Sequence, residues 1–139
     1  MTVNGTPVPD APRGANNAAP TATVDTAYSI TTAALGVSDL NDMDIANGGA
    51  SSVPANTLLN VVIPAGGVIG GTLFDSTGAL SNAVANTILA TDFANNAVRF
   101  VPSPDLNTAG GSTFKVLFQV RDNAGSNNLA ATSTITLNV

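Results

Sequence analysis

Hydrophobic and polar residues alternate with a period of two along most of the chain after residue 20. The clearest run is residues 113–120, where mostly polar residues separate Phe114, Val116, Phe118 and Val120. Successive side chains of a strand point to opposite faces of a sheet, so this run predicts a strand with one buried face.

The final run, residues 131–139, alternates in the same way, with Ile135 and Leu137 predicted to face the core and threonines predicted to face outward. About seven or eight short strands, each with one half-buried face, predict an all-β fold, a β-sandwich. Helix is weakly supported, because residues 80–89 have room for one turn at most and include Asn82 and Asn86. The shorter predicted strands, bounded by Gly, Pro and Asn, are residues 22–30, 34–38, 58–63, 70–74, 87–90 and 97–101.

The first 19 residues show no such alternation. They contain Pro7, Pro9 and Pro12, and proline favours an extended backbone. We therefore predict an extended linker or exchangeable N-terminal segment at residues 1–19, followed by one β-sandwich domain at residues 20–139. The first residues lack the basic segment followed by an apolar stretch that marks a secretory signal peptide. We therefore expect either a piece of a longer exported chain or export by a route that leaves no N-terminal mark.

The composition excludes several classes of function. The 139 residues include nine acidic residues, all of them Asp, four basic residues, and no His, Cys or Trp. Without His, Cys or Glu the chain lacks the usual general bases and soft metal ligands, so we predict that it is not an enzyme. So few Lys and Arg argue against binding to nucleic acid, and no apolar stretch approaches the roughly 20 residues of a transmembrane segment.

Oxygen ligands remain, and their positions suggest calcium. Asp39, Asp42 and Asp44 crowd one loop after a predicted strand, Asp122 follows the clearest strand, and Asp10 lies in the linker. Ca²⁺ takes about six to eight oxygen ligands in flexible geometry, which one loop and its neighbours can supply. The alternative is that these residues are solvated turn residues whose side chains hydrogen-bond to the local backbone.

Several short motifs follow one another in a characteristic order from residue 10 to residue 139. In their order and spacing they make the chain resemble one repeat of the bacterial cadherin-like, immunoglobulin-like modules that occur in tandem in large surface adhesins. The motifs are Asp10-Ala11-Pro12, Leu35-Gly36-Val37-Ser38-Asp39, Gly71-Thr72-Leu73, Val98-Arg99-Phe100-Val101-Pro102, the pattern Phe-x-x-x-Phe-x-Val-x-Asp-x-x-Gly at residues 114–125, and Ile135-Thr136-Leu137-Asn138-Val139.

This resemblance implies a Greek-key β-sandwich, tandem linkage, type I secretion to an extracellular or cell-surface location, and joints stiffened by Ca²⁺. It assigns the metal to Asp10, Asp39, Asp44 and Asp122, with Asp42 nearby. The chain lacks the Asp-x-Asn-Asp-Asn linker motif of true cadherins and their Glu ligand. Weaker calcium binding than in cadherins is therefore expected.

Three functions compete at this point. The first is a structural or adhesive extracellular module, a spacer or fibre-forming repeat whose partners are neighbouring like modules. The second is a self-assembling filament subunit or viral capsid decoration protein, joined to its neighbours by exchange of the N-terminal strand. The third is a module that binds host or surface glycans or proteins, for which the polar loop at residues 46–55 offers a small contact surface.

Overall fold

In a computed structural model, which describes residues 12–23, 25–37, 43–44, 50–51, 57–123 and 129–139, the chain forms two β-sheets that enclose one core. The larger sheet has the strand order β1 (Asn17–Thr21), β12 (Ser133–Asn138), β11 (Phe114–Asp122), β5 (Leu58–Ile63), β9 (Asn86–Leu89), and β6 (Val68–Ile69) also pairs with β11. The smaller sheet has the order β2 (Tyr28–Ser29), β10 (Arg99–Pro102), β7 (Gly71–Asp75), β8 (Gly78–Ala79). A separate ribbon pairs β3 (Met43–Asp44) with β4 (Ala50–Ser51).

The core lies between the two sheets and is built from the alternating positions of their strands. The predicted inward residues of β11 are all buried. Ile135 and Leu137 of the neighbouring strand β12 lie beside them on the same face of the sheet. Phe100 of β10 and Leu73 of β7 fill the core from the smaller sheet. The predicted all-β sandwich is therefore confirmed, while its Greek-key connectivity stays a prediction.

Helix is confined to two short segments of the described chain, a 3₁₀ helix at Thr32–Leu35 and α1 at Ala90–Ala94. Neither has the length and apolar character that a membrane crossing requires. The strand predicted at residues 34–38 is wrong, because Ala34 and Leu35 are consecutive and both buried, which the alternation of a strand does not allow. Gly36, in the left-handed conformation at φ 57°, ends the 3₁₀ helix.

The N-terminal part of the chain differs most from the sequence-based expectation. The strand predicted at residues 22–30 shortens to β2, because a turn closed by the Thr26 amide donating to the Thr23 carbonyl occupies its first half. A strand that was not predicted, β1, starts at Asn17, so the predicted domain boundary between residues 19 and 20 falls inside it.

β1 is an edge strand and runs parallel to β12. Asn17 pairs with Ile135 and Thr21 with Asn138, and the register shifts between Ala18 and Thr21. Pro20 lies in this irregular stretch, as expected of a residue that has no amide hydrogen to donate to a ladder. Parallel pairing brings the start of β1 beside the start of β12.

The two strands define two ends of the sandwich. We call the end beside the start of β1 and β12 the amino pole, and the end beside Val139 the carboxyl pole. Thr108 lies at the carboxyl pole, since its amide donates to the Val139 carbonyl. The six residues of β12 separate the poles by about 20 Å at the usual rise of a strand. The chain therefore enters and leaves its sandwich at opposite ends.

Candidate functional site

Asp122 is the one predicted calcium ligand whose side chain the structure describes, and it lies at the amino pole. It is the last residue of β11 and has an exposed fraction of 0%. The alternation of β11 places Val120 and Asp122 on the same inward face, and the register against β5 shifts between Arg121 and Asp122. A carboxylate in a buried position requires charged or hydrogen-bonded partners, so Asp122 is held there for a specific interaction.

Asn123 fixes the end of β11 next to Asp122. The Thr57 amide donates to Asn123 Oδ1 over 2.9 Å, and the Asn123 amide donates to the Thr57 carbonyl over 3.1 Å. The reciprocal pair joins the last residues of β11 to the residue before β5 and keeps the Asp122 side chain at the pole.

Asp75 and Asp92 lie at the same pole and are not among the predicted ligands. Both are buried, each with an exposed fraction of 9%. Asp75 ends β7, and its Oδ1 accepts hydrogen bonds from the amide and the hydroxyl of Thr77. Asp92 Oδ2 accepts a bond from Ser76 Oγ at 2.9 Å. The two carboxylates therefore fasten the turn between β7 and β8.

Asp92 belongs to α1, and α1 links the two sheets at the amino pole. The helix directly follows β9, whose last residue Leu89 pairs with Asn60 near the start of β5. Ser76, which directly follows β7, donates a hydrogen bond to Asp92 and so joins α1 to the smaller sheet. Asp75, Asp92 and Asp122 thus share one end of the sandwich, although each is placed there by a different strand or helix.

The other four predicted calcium ligands are Asp10, Asp39, Asp42 and Asp44, and the structure describes none of their side chains. Asp10, Asp39 and Asp42 lie outside the described residues. Asp44 is the second residue of β3 and pairs through its backbone with Ala50 of β4. Across the described part of the chain, no group of three or more Asp, Glu, His or Cys side chains is close enough to hold a metal ion. The calcium site stays a prediction.

Basic and acidic residues occupy different parts of the surface. Arg99, Lys115 and Arg121 are three of the four basic residues, and each occupies an outward position on a sheet. Within the described parts of the two sheets, Asp75 and Asp122 are the acidic residues, and both are buried rather than outward. The sheet faces therefore carry positive charge on a chain whose net charge is −5.

The exposed acidic residues of the described loops lie at the carboxyl pole. Asp25 follows the point where the Ala22 amide donates to the Asn138 carbonyl, and Asp105 precedes Thr108. Both have positive φ, 59° and 63°, which Asp tolerates better than most residues. In the described residues, negative charge is therefore concentrated at the two poles.

Phe74 is half-buried, whereas the other four phenylalanines are buried. It pairs with Arg99 on the outward face of the smaller sheet, and the guanidinium carbon lies 5.5 Å from its ring centre. An arginine over an aromatic face adds a modest attraction to the contact. Because the arginine covers this ring, it does not present an open platform for stacking a sugar.

The segment before β1 is fastened to the amino pole by specific contacts. The Ala15 amide donates to the Leu35 carbonyl, and the Thr134 amide donates to Asn16 Oδ1, both over 2.9 Å. Gly14 lies so close to Phe118 that an added Cβ would be 2.7 Å from its ring. Residues 14–16 therefore contact the sandwich directly.

No family model, no curated protein and no solved structure matches this chain.

Proposed function

We propose that this protein is a structural module of a bacterial surface adhesin, a spacer or fibre-forming repeat that works outside the cell beside other modules of the same kind. The observation that supports the proposal is the parallel pairing of β1 with β12, which places the start of β1 and the end of β12 at opposite poles. Modules joined through such ends follow one another along a single axis and extend the fibre by one sandwich each.

The charge distribution is a second support for end-to-end assembly. Negative charge lies at the poles in the described residues, and basic residues lie on the outward sheet faces. Acidic side chains from two meeting poles repel each other unless a cation lies between them. Calcium held by Asp10, Asp39, Asp42, Asp44 and Asp122 would relieve this repulsion and stiffen the joint.

The proposed array is tested with a fusion of two full-length copies in tandem, compared with the single chain by small-angle X-ray scattering. The expected maximum dimension of the fusion is about twice that of one copy, because the poles are about 20 Å apart and point in opposite directions. A compact pair lying side by side would contradict the proposal.

Calcium is expected to raise the melting temperature. At ~1 mM Ca²⁺ and a Kd near 0.1 mM, binding adds about 1.4 kcal/mol, or roughly 4 °C. Thermal unfolding in Ca²⁺, in Mg²⁺ and in a chelator measures the effect. Asp39→Asn and Asp122→Asn should each reduce the shift, whereas Asp105→Asn, an exposed acid at the carboxyl pole, should keep it. Identical melting with calcium and with chelator would exclude the metal.

Strand exchange is the second candidate, and the edge position of β1 favours it. The segment at residues 12–21 bonds to Leu35, Thr134 and the rest of β12 through groups that the same segment of a second copy would satisfy equally. Exchange of this segment between subunits would build a filament or a capsid decoration without a covalent link.

Size-exclusion chromatography with light scattering separates the two candidates. A tandem module is expected to run as a monomer, and strand exchange gives oligomers that grow with concentration. Deleting residues 1–19 removes the first part of β1, so it abolishes exchange-driven oligomers and leaves the size of a monomeric module unchanged. Oligomers that survive the deletion would exclude strand exchange as their cause.

A further inference from the structure

We infer that the pairing of β1 with β12 is a mechanical clamp, which resists unfolding when the chain is pulled from its two ends. The need for such a clamp rests on the proposed function, because a module in a surface fibre carries tension along the fibre. The clamp itself is a property of one copy and is tested on one copy.

Tension on the two ends acts on neighbouring strands in opposite directions. It pulls β1 from its first residue, Asn17, out of the amino pole, and pulls β12 from its last residue, Asn138, out of the carboxyl pole. Both pulls run along the strand axes, so the hydrogen bonds between the strands carry the load in shear and must break together. Bonds loaded from one end of a ladder break one after another, at lower force.

The clamp begins before β1. Ala15 donates to the Leu35 carbonyl, Asn16 accepts from the Thr134 amide, and Gly14 packs against the Phe118 ring. All three contacts lie between the point of pulling and Asn17, so they share the load with the ladder. A contact so placed resists force even where its contribution to equilibrium stability is small.

β12 is held firmly on its other side, so it cannot follow β1 when the clamp is loaded. It pairs with β11 in continuous register from Phe114 opposite Leu137 to Phe118 opposite Ser133. β11 in turn pairs with β5. The pairing of β1 with β12 is thus the first part of the sandwich to yield under end-to-end tension.

The chain offers a pulling direction that bypasses the clamp. Thr23 is exposed, follows β1 and lies at the carboxyl pole, because the adjacent Ala22 amide donates to the Asn138 carbonyl. Force between residue 23 and the C-terminus leaves β1 outside the loaded path. The natural chain has no cysteine, so a single introduced cysteine gives a unique attachment point.

Single-molecule force spectroscopy on the full chain compares the two directions. The first measurement pulls the chain between its two ends; the second pulls Thr23→Cys between residue 23 and the C-terminus. The expected unfolding force is higher between the ends, by about twofold or more, because several hydrogen bonds must break at once. Equal forces, or a lower force between the ends, overturn the clamp.

A second measurement uses end-to-end pulling alone and does not depend on the cysteine variant. At constant force, Asn16→Ala is expected to unfold about fivefold faster than the natural chain, because one bond of the clamp is lost. Asn86→Ala is the matched control. It removes the bonds from Asn86 Nδ2 to the Ser81 and Val84 carbonyls, which lie beside β9 at the opposite edge of the larger sheet, and leaves the rate unchanged.

Equal unfolding rates for the two asparagine variants would also overturn the clamp.

Failure of the clamp and failure of the proposed function give different results. A tandem fusion that folds back on itself contradicts the fibre module and leaves the directional difference intact. Forces that do not depend on direction contradict the clamp and leave the extended fusion intact.

Discussion

Replacing Phe100 with alanine is expected to lower the free energy of unfolding by about 3–5 kcal/mol. The Phe100 side chain has an exposed fraction of 0% and pairs with Leu73 and Tyr28 in the middle of the smaller sheet. Truncation removes the apolar surface of a whole ring and leaves a cavity that the strands on both sides cannot fill by moving. Urea unfolding followed by circular dichroism measures the loss.

Phe74→Ala is the matched control in the same sheet. Phe74 is only half-buried and faces outward beneath Arg99. Its removal takes away part of a surface contact and opens no cavity, so the expected loss is about 1 kcal/mol or less. Similar losses for the two variants would contradict the assignment of Phe100 to the core and of Phe74 to the surface.

Gly71→Ala is expected to destabilise the fold by about 3 kcal/mol or more, although it adds a single methyl group. A Cβ at Gly71 would overlap the Val101 carbonyl oxygen and lie 2.6 Å from Cζ of Phe100. The Val101 carbonyl belongs to the partner strand, so relief of the overlap would break the pairing of β7 with β10. The same unfolding measurement applies.

Gly66→Ala separates this steric effect from the general cost of replacing glycine. Gly66 has a φ of 73°, and no atom lies within 4 Å of an added Cβ. The expected loss is therefore about 1 kcal/mol, which reflects the left-handed backbone alone. If Gly66→Ala lowers the free energy of unfolding as much as Gly71→Ala does, the loss at Gly71 does not come from the close approach of β7 to β10.

Two of the longest strands of the larger sheet were predictable because one face of each packs against the core. The alternation at residues 113–120 predicts β11 and the apolar run at residues 58–63 predicts β5, and the structure gives Phe114–Asp122 and Leu58–Ile63. Each of these runs carries its signal within its own residues. Burial of one face then fixes which residues point inward.

β1 and the 3₁₀ helix could not be predicted in this way. Asn17–Thr21 has no alternation and includes Pro20, and it becomes a strand because β12 offers it an edge to pair with. Ala34 and Leu35 are apolar and lie in a short run that also fits a strand. Only the packing around them selects the tighter helix.

Of the three buried acidic residues at the amino pole, one was foreseeable. Asp122 follows the strongest strand, so its place at the end of the sandwich follows from the sequence. Asp75 and Asp92 required the fold, since the bond that joins Ser76 to Asp92 spans 16 positions and depends on where α1 docks. The one local signal was the sequence Asp-Ser-Thr-Gly at residues 75–78, which is typical of a turn capped by its own Asp.

The position of β12 between β1 and β11 also determines when the protein can finish folding. Asn16 and its partner Thr134 are 118 positions apart in the chain. A ribosome releases β1 well before β12, so the larger sheet has no neighbour to offer β1 until β12 has emerged. Closing so long a loop is entropically costly, and folds rich in distant pairings form slowly. The pairing of β1 with β12 therefore forms late, on a chain that until then has remained incompletely folded.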